Sequence, residues 1–368
     1  MKISIPYENA TLLAECSWAH TLGSLDPAPI PALSDIPAIL IQGLEQPIGM
    51  QGPLQGLLNN GDTVCVAVSD ASRKTGMEQV LPHLVDWLMA CGIGEIDISF
   101  LIATGIHRPA TPEEQSRILD PKLFQRFRNR IYNHDAYDTD NLVNVGTTSR
   151  GTEVLLNRFA CECDHLILTG AAMPHYFAGF GGGRKALAPG LAGAATIAQN
   201  HVRSLHPTAA RLDPEVKSCR LDGNPVAEDL LEAAQLHPPS FIVNTVLGQN
   251  GAIAGLFVGE MDAAHRNACA LAQDIFVVPI TEKADMVIAV ANTALNFIQC
   301  HKALFNAYSA LKPGGRILLV APLPEGLGGA GFRRYLEMGN PEAVAALLRR
   351  EPDINGQTAL STLEKAAH

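Results

Sequence analysis

Between Ala172 and His206 the chain places a histidine, a run of glycines, a lysine and a second histidine in one window, A-M-P-H-Y-F-A-G-F-G-G-G-R-K followed by A-L-A-P-G-L-A-G-A-A-T-I-A-Q-N-H. Gly179, Gly181, Gly182 and Gly183 can bend the backbone so that successive N–H groups converge, which suits a phosphate or another anion. Lys185, directly after Arg184, can contact a phosphate as a point charge. If desolvated, it can instead act as an amine nucleophile. His175 lies ten residues before Lys185 and His201 sixteen after it, so both could fold back towards the lysine. Gly179 and Lys185 have the outer spacing of a phosphate-binding P-loop, but Arg184 stands where that motif needs glycine and Ala186 where it needs a hydroxyl. Without the hydroxyl there is no magnesium ligand, and a nucleoside triphosphatase is not indicated.

Two upstream segments end in polar residues of the same kind. The run V-C-V-A-V-S-D-A-S-R-K-T (64–75) opens as a buried strand and breaks into Asp70, Ser72 and Arg73. Polar groups at the carboxyl end of a parallel strand face the ligand crevice of an open α/β sheet. A planar guanidinium such as that of Arg73 matches a carboxylate bidentately; Asp70 could alternatively cap the helix that follows. A second run, 96–105, leads into I-H-R-P-A-T-P-E-E, where Thr111 and Glu114 have capping-box spacing, so His107 and Arg108 fall in a strand-to-helix loop. Further on, N-F-I-Q-C-H-K-A-L opens a helix on which Gln299 and Lys302 are three apart and share a face.

The string F-G-G-G-R-K-A-L-A-P-G-L-A-G-A-A-T-I-A-Q-N-H resembles the signature of the nickel-dependent lactate racemase family. The D-A-S-R segment resembles its D-x-T-R motif, with Ser72 keeping the hydroxyl, and G-I-H-R-P-A-T and M-P-H resemble its histidine segments. The resemblance covers roughly residues 60 to 330. It implies two α/β domains with the active-site cleft between them. It also implies a nickel-pincer nucleotide, pyridinium-3-thioamide-5-thiocarboxylic acid mononucleotide, covalently attached at Lys185, with Gly181, Gly182, Gly183 and Arg184 around it and His201 as the nickel ligand. His107 and His175 would be the two acid/base residues, and Asp70, Arg73, Gln299 and Lys302 would bind the substrate.

The implied reaction is racemisation or epimerisation of a 2-hydroxy acid, lactate-like or larger, by proton-coupled hydride transfer, making the chain an isomerase supplied by cofactor-synthesis enzymes. Two stereochemical courses call for two acid/base groups, and histidine, with an ordinary pKa near ~6.5, suits proton transfer at neutral pH. Two other readings stay open: a zinc hydrolase with His107, His175 and His201 as ligands, and a non-catalytic carrier of the nickel nucleotide.

Composition is that of an ordinary globular chain, 47% hydrophobic and 17% charged over 368 residues. The net charge of −10 argues against nucleic acid or an anionic membrane as partner, so an anionic substrate must be drawn by a local site such as Arg73 and Lys302. No apolar run approaches a membrane span and the start M-K-I-S-I-P-Y-E lacks a signal-peptide core, which makes the cytoplasm the expected location. Cysteines are scattered, several in apolar runs, as expected of reduced buried thiols. The tract C-E-C-D-H (161–165) has no matching second pair to complete a zinc site.

Strand and helix patterns alternate along the chain, the rhythm of an α/β fold. Strands are expected at 62–69, 96–103, 165–170 and 241–247, with helices at 78–91, 112–118, 226–234 and 262–273. Residues 207–225, rich in proline, aspartate and glycine, read as a loop or lid. The pattern restarts with strands near 275–279 and 285–291, a helix at 296–311, a turn at Lys312-Pro313-Gly314-Gly315 and a strand at 316–321. The boundary is expected near 270–283, giving an N-terminal domain of residues 1–270 with the cofactor and acid/base residues and a C-terminal domain of 271–368 completing the substrate site.

Overall fold

The computed structural model describes residues 2–15, 17, 19–292 and 294–367. Two compact α/β units are formed, and neither is continuous in sequence. One comprises Pro27–Asn200 and Lys217–Val277; the other comprises Met1–Asp26, His201–Val216 and Val278–His368.

The larger unit is built on a six-stranded sheet. Its strands run in the order Ile253–Gly259, Phe241–Leu247, His165–Ala171, Val64–Ser69, Ile98–Ala103 and Ile131–Asn133. All neighbours are parallel except the edge pair of Phe241–Leu247 with Ile253–Gly259. The inner strands are nearly continuous apolar runs because both sheet faces are covered, as a parallel sheet requires. Helix Leu81–Ala90 turns Leu81, Leu84, Val85 and Leu88 onto Val64, Val66, Val68 and Phe100, and Trp87 meets Phe241 edge-on at 6.3 Å. Thr111 and Glu114 form the expected reciprocal cap, Glu114 N–H to Thr111 Oγ1 at 3.3 Å and Thr111 N–H to Glu114 Oε2 at 2.9 Å.

Strand order decides where a ligand can sit. From Val64–Ser69 the chain first adds Ile98–Ala103 on one side and later His165–Ala171 on the other. The three loops leaving these strands therefore flank the point where strand order reverses, the position at which open α/β sheets bind ligands. Asp70–Arg73, Thr104–Arg108 and Ala172–Lys185 occupy those exits.

The smaller unit pairs strand Ala284–Val290 with Leu311–Val320 in parallel and carries a hairpin of Lys2–Tyr7 and Ala10–Glu15. Helix Phe297–Ser309 is joined by Ala330–Glu337, Pro341–Arg350 and Gly356–Ala367, whose Phe332, Tyr335, Val344, Leu348 and Leu360 share one core. Two expectations are corrected here. The strand near 275–279 does not form, because helix Met261–Phe276 keeps its buried stripe through Ile275. The Lys312–Gly315 turn is absorbed into strand Leu311–Val320 as an irregularity, the register jumping between Ala284/Leu311 and Met286/Arg316. Among the described residues no helix is long and apolar enough to cross a membrane.

Candidate active site

Asp70 and His107, brought together from two adjacent strand exits, make the most defined contact at the sheet's carboxyl edge. His107 Nδ1 lies 2.5 Å from Asp70 Oδ2, while Asp70 Oδ1 accepts from Ser72 N–H at 2.9 Å and Ser72 Oγ at 2.6 Å. Asp70 is buried and its carboxyl is held below the usual range. Burial opposes its charge, but the bond and charge of His107, the Ser72 hydroxyl and the nearby Arg73 outweigh it. A carboxylate can only accept, so Nδ1 of His107 carries the proton and Nε2 of the neutral ring keeps its lone pair. Both Asp70 oxygens accept hydrogen bonds inside the protein, Oδ2 from His107 and Oδ1 from Ser72. Behind the ring, Arg108 grips Glu114 with both guanidinium arms at 2.7 Å and braces the loop. Arg73 is exposed, and its guanidinium makes no hydrogen bond or ion pair among the described residues.

His175 is oriented differently. Its Nδ1 accepts from Phe177 N–H at 3.4 Å and Ala178 N–H at 3.3 Å, and the ring stacks on Tyr176 at 5.0 Å. The neutral ring then carries its proton on Nε2. His107 offers a lone pair at Nε2 where His175 offers a proton.

Lys185 sits on the short turn Gly183–Ala186, half-buried, with Nζ 5.7 Å from the Phe177 ring centroid. The glycines before it serve close packing. A Cβ on Gly182 would lie 2.5 Å from Asn244 Oδ1, and one on Gly183 2.4 Å from His265 Cγ; both residues also have positive φ. Gly181 N–H donates to Met173 O at 2.8 Å and Gly183 N–H to Asn244 Oδ1 at 2.7 Å. These two N–H groups are therefore engaged inside the protein. Arg184 is likewise turned inward. It is buried and pairs with Asp262 at 2.8 Å, and Asp262 holds Arg266 at 2.7 Å. Burial lowers the pKa of Arg184 while the Asp262 charge opposes that shift.

Sequence reasoning missed Asn244, Asp262 and His265. The signals were present: one amide in the apolar strand F-I-V-N-T-V-L, and one histidine on the helix stripe shared by Ala264, Ala268 and Cys269.

Burial, and next the charge of Arg184, push the His265 pKa down to about 4. Between pH ~6.5 and about 4 the unfolded chain takes up this proton before the folded one, so stability is full above the unfolded pKa and lost as pH falls. The expected loss is up to about 3 kcal/mol by pH 4. Urea midpoints across that window should fall less steeply for His265→Gln than for the unaltered chain; identical slopes would contradict the assignment.

His201 is buried near the end of helix Ala194–Val202, and the preceding Asn200 anchors that helix through Asp229 at 2.9 Å and Val226 O at 3.2 Å. In the smaller unit Gln299 and Lys302 are half-buried on helix Phe297–Ser309, where Gln299 Oε1 accepts from Leu295 N–H at 3.0 Å. Among the described residues no three His, Cys, Asp or Glu side chains gather to hold a metal ion.

Residues 7–212 match the lactate racemase N-terminal domain family. The lactate racemase of Thermoanaerobacterium thermosaccharolyticum is 31% identical over 311 residues, 83% of this chain and 70% of that protein. The lactate racemase of Lactiplantibacillus plantarum is 30% identical over 342 residues, 91% of this chain and 78% of that protein. The solved lactate racemase apoprotein of T. thermosaccharolyticum superposes with a TM-score of 0.85 at 27% identity, covering 100% of this chain and 86% of that one. A Thermotoga maritima protein shares the fold at a TM-score of 0.69 and 18% identity, over 89% of this chain and 82% of that one. The chain belongs to the lactate racemase family and is an isomerase.

Proposed function

We propose that the chain racemises or epimerises a 2-hydroxy acid, lactate-like or larger, using a nickel-pincer nucleotide joined to Lys185, with His201 as the nickel's protein ligand. The Asp70–His107 pair beside Arg73 at the strand-order reversal carries this reading. The residues fit the cofactor. Lys185 offers a primary amine on a braced turn to which the nucleotide would be joined, and His201 offers a buried imidazole, a donor that suits nickel. When bound, that cofactor supplies a reversible acceptor for the α-hydrogen as hydride.

The chain's own residues do the rest. Arg73 receives the substrate carboxylate in its fork. Nε2 of His107 takes the hydroxyl proton of one enantiomer, and Asp70 stabilises the imidazolium that forms. His175 serves the other enantiomer, starting as the proton donor. Gln299 and Lys302 are assigned to the carboxylate end of the substrate, and cofactor-synthesis enzymes supply the nucleotide.

A panel of 2-hydroxy acids graded by side-chain size, followed by chiral chromatography on protein produced with those enzymes, tests the substrate class. Arg73→Ala should lose about tenfold or more in kcat/KM, since a bidentate charge-assisted contact to the substrate carboxylate, worth about 1.5–3 kcal/mol, is removed. Arg73→Lys should recover little, because it keeps charge without the fork. Turnover of a neutral polyol that survives Arg73→Ala unchanged would overturn the carboxylate clamp.

A further inference from the structure

We propose that Asn244 and His265 are positioning residues that clamp the lysine-bearing turn from beneath and so fix the direction in which Lys185 presents its amine. The functional consequence rests on the reading of Lys185 as the attachment point. Asn244 Oδ1 accepts from Gly183 N–H at 2.7 Å, and His265 Nε2 lies 2.8 Å from the Gly181 carbonyl. That carbonyl can only accept, so Nε2 donates. Between these anchors Gly182 has φ +74°, and the two side chains fill the space that a Cβ on Gly182 or Gly183 would need. Arg184 is then tied to Asp262, and the Lys185 carbonyl accepts from Gly190 N–H at 3.0 Å. The lysine backbone is thus held on both sides.

Each of these two residues spends a buried polar atom on holding the turn. Asn244 is fully buried in a strand, where its Nδ2 has no hydrogen-bond partner among the described residues, and His265 is buried with its Nδ1 in the same condition. A buried polar group left unsatisfied costs about 1–3 kcal/mol, and each residue carries that cost at one side-chain nitrogen while its other polar atom bonds the backbone of the turn. Two such violations meet within three residues of backbone, from a strand and a helix distant in sequence. Local rules broken at one place are the mark of a site whose geometry matters.

Two readouts test the clamp. In protein made without the cofactor, the rate at which acetyl N-hydroxysuccinimide ester labels Lys185, read by peptide mass, reports the turn alone. Asn244→Ala and His265→Leu should each change that rate by about fivefold or more, because an unfixed turn presents the amine in many directions. Asn244→Asp keeps an acceptor for Gly183 N–H, and His265→Gln keeps a donor for Gly181 O; each should recover most of its partner variant's change. In cofactor-loaded protein, Asn244→Ala should lower kcat by about 100-fold with KM shifted far less, the cost of misplacing a reacting group by an ångström. Labelling rates within twofold of the unaltered protein in both Asn244→Ala and His265→Leu would overturn the clamp. So would conservative variants as impaired as the truncations, with kcat falling only in proportion to the thermal midpoint. If the unaltered protein carries no adduct, the attachment reading falls, and the labelling rates still decide the clamp.

Discussion

His107→Ala is expected to lower racemisation by about 100- to 10,000-fold while the proposed adduct on Lys185 and its nickel are retained, the usual range for a general acid–base group. Asp70→Asn should cost at least about 100-fold for a separate reason, since an amide can hand a proton to Nδ1 and so move the ring's own proton onto Nε2, removing the lone pair that acts as base. Both Asp70 oxygens are engaged by His107 and Ser72, so the effect should appear in kcat, with KM for the 2-hydroxy acid changing by only about threefold or less. A substrate-binding role for Asp70 gives the opposite split, a raised KM with kcat kept. Steady-state constants for the two variants, measured in both directions of the reaction, separate these roles. Asp70→Asn with unaltered kcat would remove the dyad from the mechanism.

Much of the larger unit could be read from the chain because its signals are local. Continuous apolar runs ended at Ser69, Ala103 and Ala171, and each polar exit lies at the carboxyl edge of the sheet. The Thr111–Glu114 cap needed only three residues of spacing. The two-unit α/β fold followed from the same alternation.

What was not legible depends on how the chain folds back on itself, in most cases onto partners far away in sequence. The direction of the Gly181 and Gly183 N–H groups is decided by Met173 and Asn244, and the fate of Arg184 by Asp262, 78 residues on. Glycine spacing cannot distinguish a cradle for an anion from a turn pressed onto two buried side chains. The stretch after Asp274 shows the same limit: I-F-V-V-P-I has strand-like residues, yet the helix runs on to Phe276 because Ile275 completes its buried face. The joining of residues 1–26 and 201–216 with the last quarter of the chain leaves no local trace at all.

Lys185→Ala should abolish both the adduct and stoichiometric nickel, because the assigned covalent bond and the nickel's other donors belong to the same nucleotide. The loss is all-or-none, larger than any single contact around the turn can produce. His201→Ala should behave differently, keeping adduct while its nickel affinity drops, since one imidazole is then missing from the metal's ligand set. Intact mass and nickel content, measured side by side on the unaltered protein and Lys185→Ala, both produced with the cofactor-synthesis enzymes, are the direct test. The expected result is one nucleotide mass increment and about one nickel per unaltered chain, with neither in Lys185→Ala. An unaltered chain without the increment, or a Lys185→Ala chain that still carries it, would contradict the assignment.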